Sequence, residues 1–279
     1  MKFTYLGTAA SEGFPALFCN CEYCREARRQ GGKNLRTRSQ ALINDDLLID
    51  LPADTNFHAI RNGLELDKVK FLLFTHSHSD HLNPQELRLR GDAYAHDMRS
   101  NILEVYCGQG VQKEYDRING GKISESIASK IRFQVMKAFE TFRAGDYNIT
   151  PLPARHKPNE DAFFYAISDG EKNILYAHDT GYFFEEVFDW IGQNKMRFDL
   201  VSLDCTNVDI PIADNGNHMG FPNVGRVLER LRTIGAVTDK TQCFVNHFSH
   251  NGNPLHELLE KKAEPYGCRV AYDGLQIDV

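Results

Sequence analysis

Three imidazoles and a carboxylate fall within six residues in Thr75-His76-Ser77-His78-Ser79-Asp80-His81, directly after the apolar run Val69 to Phe74. Imidazole and carboxylate are ligands of zinc, manganese and iron. No single regular element can aim all four at one place, but a buried strand that breaks into a loop can. Alternating His76 and His78 followed by adjacent Asp80 and His81 suits two cations side by side. Such a pair lowers the pKa of a shared water and polarises the ester that the water attacks. His156, Asp179 and His247 follow at wide intervals. Taken singly, His156 reads as a surface-loop histidine, Asp179 as the N-cap of a helix near 183, and His247 as a satisfied core histidine. Taken in series after the first motif, they read as ligands.

A second group has different chemistry. In Cys19-x-Cys21-x2-Cys24, three thiols can surround one metal, and a structural zinc needs a fourth ligand to close its tetrahedron. His250, three residues beyond His247, is the candidate, with His256 the fallback. Zinc there would tie an N-terminal loop to the loop that carries a ligand of the reaction centre. His218 lies in the Gly- and Asn-rich loop Asn215-Gly216-Asn217-His218, just before a helix starting near Pro222 whose N–H groups can face an anion. His178 reads as a structural hydrogen-bonding group. Arg36, Arg38, Arg88 and Arg90 read as solvated loop cations, and Cys107, Cys205, Cys243 and Cys268 as packing thiols.

These residues need strand ends to present them. Strand-like runs recur at 2–6, 40–44, 47–50, 69–74, 102–106, 131–136, 147–152, 162–167, 173–177, 199–203, 242–246 and 269–272. Helical patterns fall at 54–63, 84–92, 109–118, 183–193, 222–233 and 254–264. Consecutive strands interrupted by helices predict an α/β chain of αββα architecture, two mixed sheets flanked by helices. His76, His156, Asp179 and His247 each come just after a predicted strand, where a rigid scaffold presents loop ligands. No linker or repeat divides the chain, so one domain is expected over 1–279, with the cysteine knuckle at about 18–25.

Composition narrows the partners. The chain has 279 residues, a formal charge of −6 and seven cysteines. An odd cysteine count with three clustered thiols makes a poor disulfide framework and predicts a reducing, cytoplasmic setting. No apolar stretch is long enough for a membrane span, and the start lacks a signal peptide's apolar region. The acidic balance argues against a non-specific hold on nucleic acid, but not against a small phosphorylated substrate near metal charge.

His76-x-His78-x-Asp80-His81 followed by His156, Asp179 and His247 resembles the metallo-β-lactamase superfamily in its phosphodiesterase-like branch. The resemblance implies that His76, His78 and His156 hold one metal and Asp80, His81 and His247 the other, with Asp179 and a hydroxide bridging them. Asp50, closing Leu47-Leu48-Ile49-Asp50, matches the superfamily's early Asp, which orients ligands. With the knuckle and His247-x2-His250, the chain is similar to the phosphoribosyl cyclic phosphodiesterases of bacterial phosphonate breakdown. It is more distantly similar to the pyrroloquinoline-quinone biosynthesis protein B. That likeness implies a structural zinc on Cys19, Cys21, Cys24 and His250, and two catalytic manganese, zinc or iron ions. It also implies a non-ligand His218 that protonates a leaving alkoxide or binds phosphate oxygen, working beside the ligand Asp80, and pairing into homodimers. The expected activity is opening of a small cyclic phosphate such as a phosphoribosyl 1,2-cyclic phosphate. tRNA 3′-end processing and a non-catalytic accessory or carrier role are the alternatives.

Overall fold

A computed structural model describes all 279 residues, Met1 to Val279. The first sheet takes β1 (Lys2–Gly7), β2 (Gln40–Ile43), β3 (Leu47–Ile49), β4 (Phe71–Leu73), β5 (Leu103–Cys107) and β6 (Ile131–Val135). The second takes β7 (Phe142–Ala144), β8 (Tyr147–Pro153), β9 (Phe163–Ser168), β10 (Asn173–Ala177), β11 (Leu200–Asp204), β12 (Gln242–Asn246) and β13 (Arg269–Val270). The last strand, β14 (Gln276–Asp278), returns to the first sheet beside β1. The spatial orders are β14-β1-β2-β3-β4-β5-β6 and β13-β12-β11-β10-β9-β8-β7. In each sheet one half pairs antiparallel and the other parallel; the change comes at β3–β4 in the first and β10–β11 in the second.

Strand alternation explains the layers. On β3, Leu47 and Ile49 face the space between the sheets with Phe3, Tyr165, Tyr176 and Phe244, while Leu48 faces outward. On β10, Ile174 and Tyr176 point inward, and Leu175 and Ala177 point outward. Both faces of both sheets are therefore apolar and must be covered. The helices are α1 (Glu22–Gln30), α2 (Thr55–Asn62), α3 (Gln109–Asn119), α4 (Glu125–Ala128), α5 (Glu185–Gln193), α6 (Phe221–Thr233) and α7 (His256–Ala263). Val111, Tyr115 and Ile127 of α3 and α4 pack on the outer face of the first sheet. Val187, Phe188, Val224, Leu228 and Leu259 of α5, α6 and α7 pack on that of the second. The result is the αββα sandwich. No helix is long and apolar enough to cross a membrane.

Three details depart from the sequence reading. The helix expected at 84–92 is a short 3-10 turn, Glu86–Arg90, ended where Gly91 packs against Ile127 so closely that a Cβ there would meet its Cγ1 at 2.7 Å. Helices α1 and α4 and strands β7 and β14 were not expected. The α1 cap is a cysteine: Cys21 Sγ accepts from the Cys24 amide at 3.4 Å, so a residue read as a ligand also starts a helix. Arg36 is not solvated. It is 3% exposed, its Nη1 donates to Thr8 Oγ1 and the Ala271 carbonyl, and its guanidinium lies over Phe248.

Candidate dinuclear metal centre

Backbone conformation at three strand ends builds the site. Asp50 follows β3 with φ 64°, Asp179 follows β10 with φ 55°, and His247 follows β12 with φ 63°. Left-handed backbone costs about 1–3 kcal/mol at a non-glycine residue, least for Asp, Asn and His. Here it turns the chain out of the strand and swings each side chain toward one cleft. His76 and His81 reach it from the loop after β4, and His156 from the loop after β8.

The donor atoms of His76, His78, His156 and Asp179 lie within 4.8 Å of one another, as do those of Asp80, His81, Asp179 and His247. Asp179 belongs to both sets. Its Oδ2 is 3.2 Å from His76 Nε2, 3.1 Å from His81 Nε2 and 3.7 Å from His247 Nε2, and its Oδ1 is 3.1 Å from His156 Nδ1. His78 Nδ1 lies 2.8 Å from His76 Nε2 and 2.9 Å from His156 Nε2. Three ring nitrogens converging on one point fit a shared cation. His81 Nε2, His247 Nε2 and Asp179 Oδ1 are buried without a hydrogen-bond partner, a cost that cations between these donors would remove.

Groups behind the ligands fix how they face. Asp50 accepts from the Thr75 amide at 2.8 Å and sits 2.7 Å from His81 Nδ1, so His81 donates outward and turns its Nε2 lone pair to the cleft. Thr206 Oγ1 is 2.7 Å from His247 Nδ1. The Asn217 carbonyl accepts from His156 Nδ1 at 3.2 Å. Burial pushes the His76 imidazole down to about 3, which keeps it neutral and able to coordinate. Burial opposes the charge of Asp179 too, but His247, His218, His76 and His81 hold its carboxyl well below the usual range.

A carboxylate that the sequence reading missed completes the cleft. Asp204 closes β11, is fully buried, and accepts from the amides of Asp179, Thr206 and Met219. Its Oδ2 is 3.5 Å from His218 Nδ1 and 3.4 Å from His247 Nδ1. The signal was present: Leu200-Val201-Ser202-Leu203-Asp204 repeats the pattern of Leu47-Leu48-Ile49-Asp50, an apolar strand ending in aspartate. His218 Nδ1 is 3.0 Å from Asp179 Oδ1, and the ring sits 5.0 Å from His156 and 5.9 Å from His247. Burial disfavours its charge, yet Asp179 and Asp204 outweigh burial and push His218 up to about 10. His178 stays apart from the cleft atoms, bonded to Ser202 Oγ at 2.5 Å and Asn246 at 3.2 Å.

Glu160 was missed as well. Its side chain is 6% exposed; Oε1 accepts from the Ser77 amide at 2.7 Å, and Oε2 meets Ser77 Oγ at 2.5 Å and Lys157 Nζ at 2.7 Å. Ser77 stands between His76 and His78, and Lys157 follows His156. The carboxylate thus clamps together the two loops that supply three ligands. A Cβ at Gly110 would meet Glu160 Cγ at 2.3 Å, so the start of α3 needs glycine for this clamp to fit.

The second cluster holds Cys19, Cys21, Cys24 and His250, their donor atoms again within 4.8 Å. Cys24 Sγ is 3.8 Å from His250 Nδ1. Burial opposes the thiolate at Cys21, but the Cys24 amide and His250 outweigh it and bring Cys21 to about 6, whereas burial pushes Cys24 up to about 11. His256, the fallback, is elsewhere, 3.1 Å from both Arg36 and Glu260. Arg38 pairs with Asp54, Arg88 holds Asn119, and Arg90 reaches the Ser100 carbonyl; Cys107, Cys205, Cys243 and Cys268 are buried.

A family profile described as the beta-lactamase superfamily domain matches residues 47–247, most of the chain and all of the dinuclear cluster. The chain belongs to the beta-lactamase superfamily. Among solved structures it is similar to a diphosphatase from the PhnP family, with a TM-score of 0.74 and 19% identity over 100% of this chain and 97% of the other. It is also similar to zinc-bound PqqB from Methylobacterium extorquens, with a TM-score of 0.73 and 18% identity over the whole of both chains. By sequence it is 35% identical over 290 aligned positions to an octanoyltransferase of Porphyromonas gingivalis, covering 99% of this chain and 51% of that one. The chain therefore spans about half the length of the curated relative it matches.

Proposed function

We propose that this chain is a metal-dependent hydrolase of phosphate esters, a phosphodiesterase that opens a small cyclic phosphate of the phosphoribosyl 1,2-cyclic phosphate type. The observation that carries the reading is the two donor sets sharing Asp179, with a further histidine, His218, grouped beside them with Asp179, Asp204 and His247 and outside both sets. Cations held by His76, His78 and His156 and by Asp80, His81 and His247 would supply a hydroxide at neutral pH and neutralise charge on phosphorus-bound oxygen. The residues do the rest. Asp179 keeps the two ligand sets in register. Asp50 and Thr206 hold His81 and His247 in the coordinating tautomer. Asp204 fixes the His218 ring, which hands a proton to the departing sugar oxygen. Ring strain in a five-membered cyclic phosphate lowers what that single acid must supply.

The similarity to a PhnP-family diphosphatase supports phosphorus as the reacting atom. Hydrolysis of a carboxylic ester or thioester is the second reading, favoured by the 35% identity to a protein named an octanoyltransferase. The test is turnover of a 2′,3′-cyclic nucleotide, bis-p-nitrophenyl phosphate and an octanoyl thioester by protein loaded with manganese or zinc. Turnover of the cyclic ester, lowered about 100-fold in His218→Ala with metal content unchanged, is the expected result. Turnover of the thioester alone would replace the phosphodiesterase reading with the second one.

A further inference from the structure

Outside the cleft, a cavity of about 420 Å³ lies on the outer face of the first sheet. Its floor is Leu48, Leu51 and Leu72, and its far wall is Leu87, Leu89 and Met98, from the turn Glu86–Arg90 and the irregular chain after it. An apolar cavity of about 150 Å³ is enough for benzene, so this one, nearly three times that volume, has room for a longer aliphatic chain. One cation breaks the apolar lining. Arg90 Nη2 donates to the Ser100 carbonyl at 2.6 Å, but its Nε is buried with no partner. Burial alone shifts its pKa, downward, and no carboxylate lies within 4.0 Å of it. The two acidic residues of the lining are otherwise engaged, Asp67 with Arg99 and Glu86 with Asn83. A half-buried guanidinium with its Nε buried and unpartnered, and with no carboxylate within 4.0 Å, can take the anionic head of a ligand whose body is apolar.

We infer that this cavity binds a medium-chain fatty acid, its carboxylate on Arg90 and its chain on Leu48, Leu51 and Leu72. The assignment uses no residue of the proposed reaction, although β3 and β4, which form the floor, also lead to Asp50 and His76.

The experiment is calorimetric titration of the metal-loaded full chain with octanoate, decanoate and dodecanoate, and with 1-octanol as the uncharged control. Affinity should rise about fourfold per added methylene, the equivalent of about 0.8 kcal/mol, until the cavity is full. Octanoate should bind about tenfold tighter than 1-octanol. Arg90→Gln should erase that preference and keep the chain-length trend. Ala95→Phe, on a half-buried lining residue, should weaken every member about tenfold or more, whereas a carboxylate held by metals in the cleft would ignore both substitutions. No binding of dodecanoate, a series flat in chain length, or affinities untouched by Ala95→Phe would each overturn the assignment. Ala95→Phe decides the matter even if Arg90→Gln fails to fold.

Discussion

The two metal-type clusters of this chain are built in opposite ways. The His/Asp cluster is set on strand ends: Asp179 and His247 are turned into the cleft by left-handed backbone, and Asp50, Thr206 and Glu160 hold their neighbours from behind. The knuckle has no strand under it. Cys19, Cys21 and Cys24 sit where a loop runs into α1, and their small buried group is Phe14, Ala16, Cys24 and Ala27. Strand ends and the partners behind them support the first geometry, whereas the second rests on a loop, the start of a helix and a small buried group, where a bound cation would add most to stability.

That contrast breaks first at Asp179. Asp179→Ala should reduce turnover about a thousandfold or more, because both ligand sets lose their common carboxylate, while the melting temperature moves by only a few degrees. Steady-state kinetics with calorimetry checks both; a collapse of the fold would erase the distinction. Cys21→Ser should do the reverse, losing one zinc per chain and lowering the melting temperature by about 5–10 °C while the cleft keeps its metals. Elemental analysis beside a thermal melt reads both.

Within the cleft, Glu160→Gln sharpens the picture. It leaves Asp80, His81 and His247 untouched and frees the loops of His76, His78 and His156, so one of two cations should bind about 10–100-fold more weakly. Stepwise chelation would show two unequal metals where the parent shows closer ones. An effect visible only at low pH lies away from both clusters. Burial pushes His58, bonded to Thr37 and Gln40, down to about 4 from an ordinary value near 6.5. The unfolded chain therefore takes up a proton at a pH where the folded one does not. This share of stability is intact above about pH 6.5 and falls away between about pH 6.5 and 4, by about 3 kcal/mol in all. Denaturant midpoints measured across that range, against His58→Gln, isolate it.

Much of the cleft was legible because its ligands are rare residue types in a dense local pattern. His76, His78, Asp80 and His81 announce themselves within six residues, and the knuckle within six more at 19–24. Glu160 was not legible, because one glutamate in a loop is an ordinary residue until its partners are known; Asp204 carried the same strand-end signal as Asp50 and was passed over. The expected helix at 84–92 failed for a related reason. Its apolar spacing was real, but Leu87 is used to close the sheet face, and Gly91 must approach Ile127 too closely for the helix to continue.

The sequence by itself determined most of the strands, β7 and β14 apart, since short apolar runs bounded by turn residues are readily buried as sheet, and it determined the chemical types available at their ends. Tertiary structure alone decided which of those groups meet. Asp179 joins two donor sets that share the 76–81 loop but each take one histidine from far along the chain, Asp204 stands behind His218 and His247, and His250 rather than His256 faces the thiols. The reason is physical. Period and composition report how each segment meets water, whereas a metal site depends on donor positions to a few tenths of an ångström, and only the packing of two sheets against each other sets those.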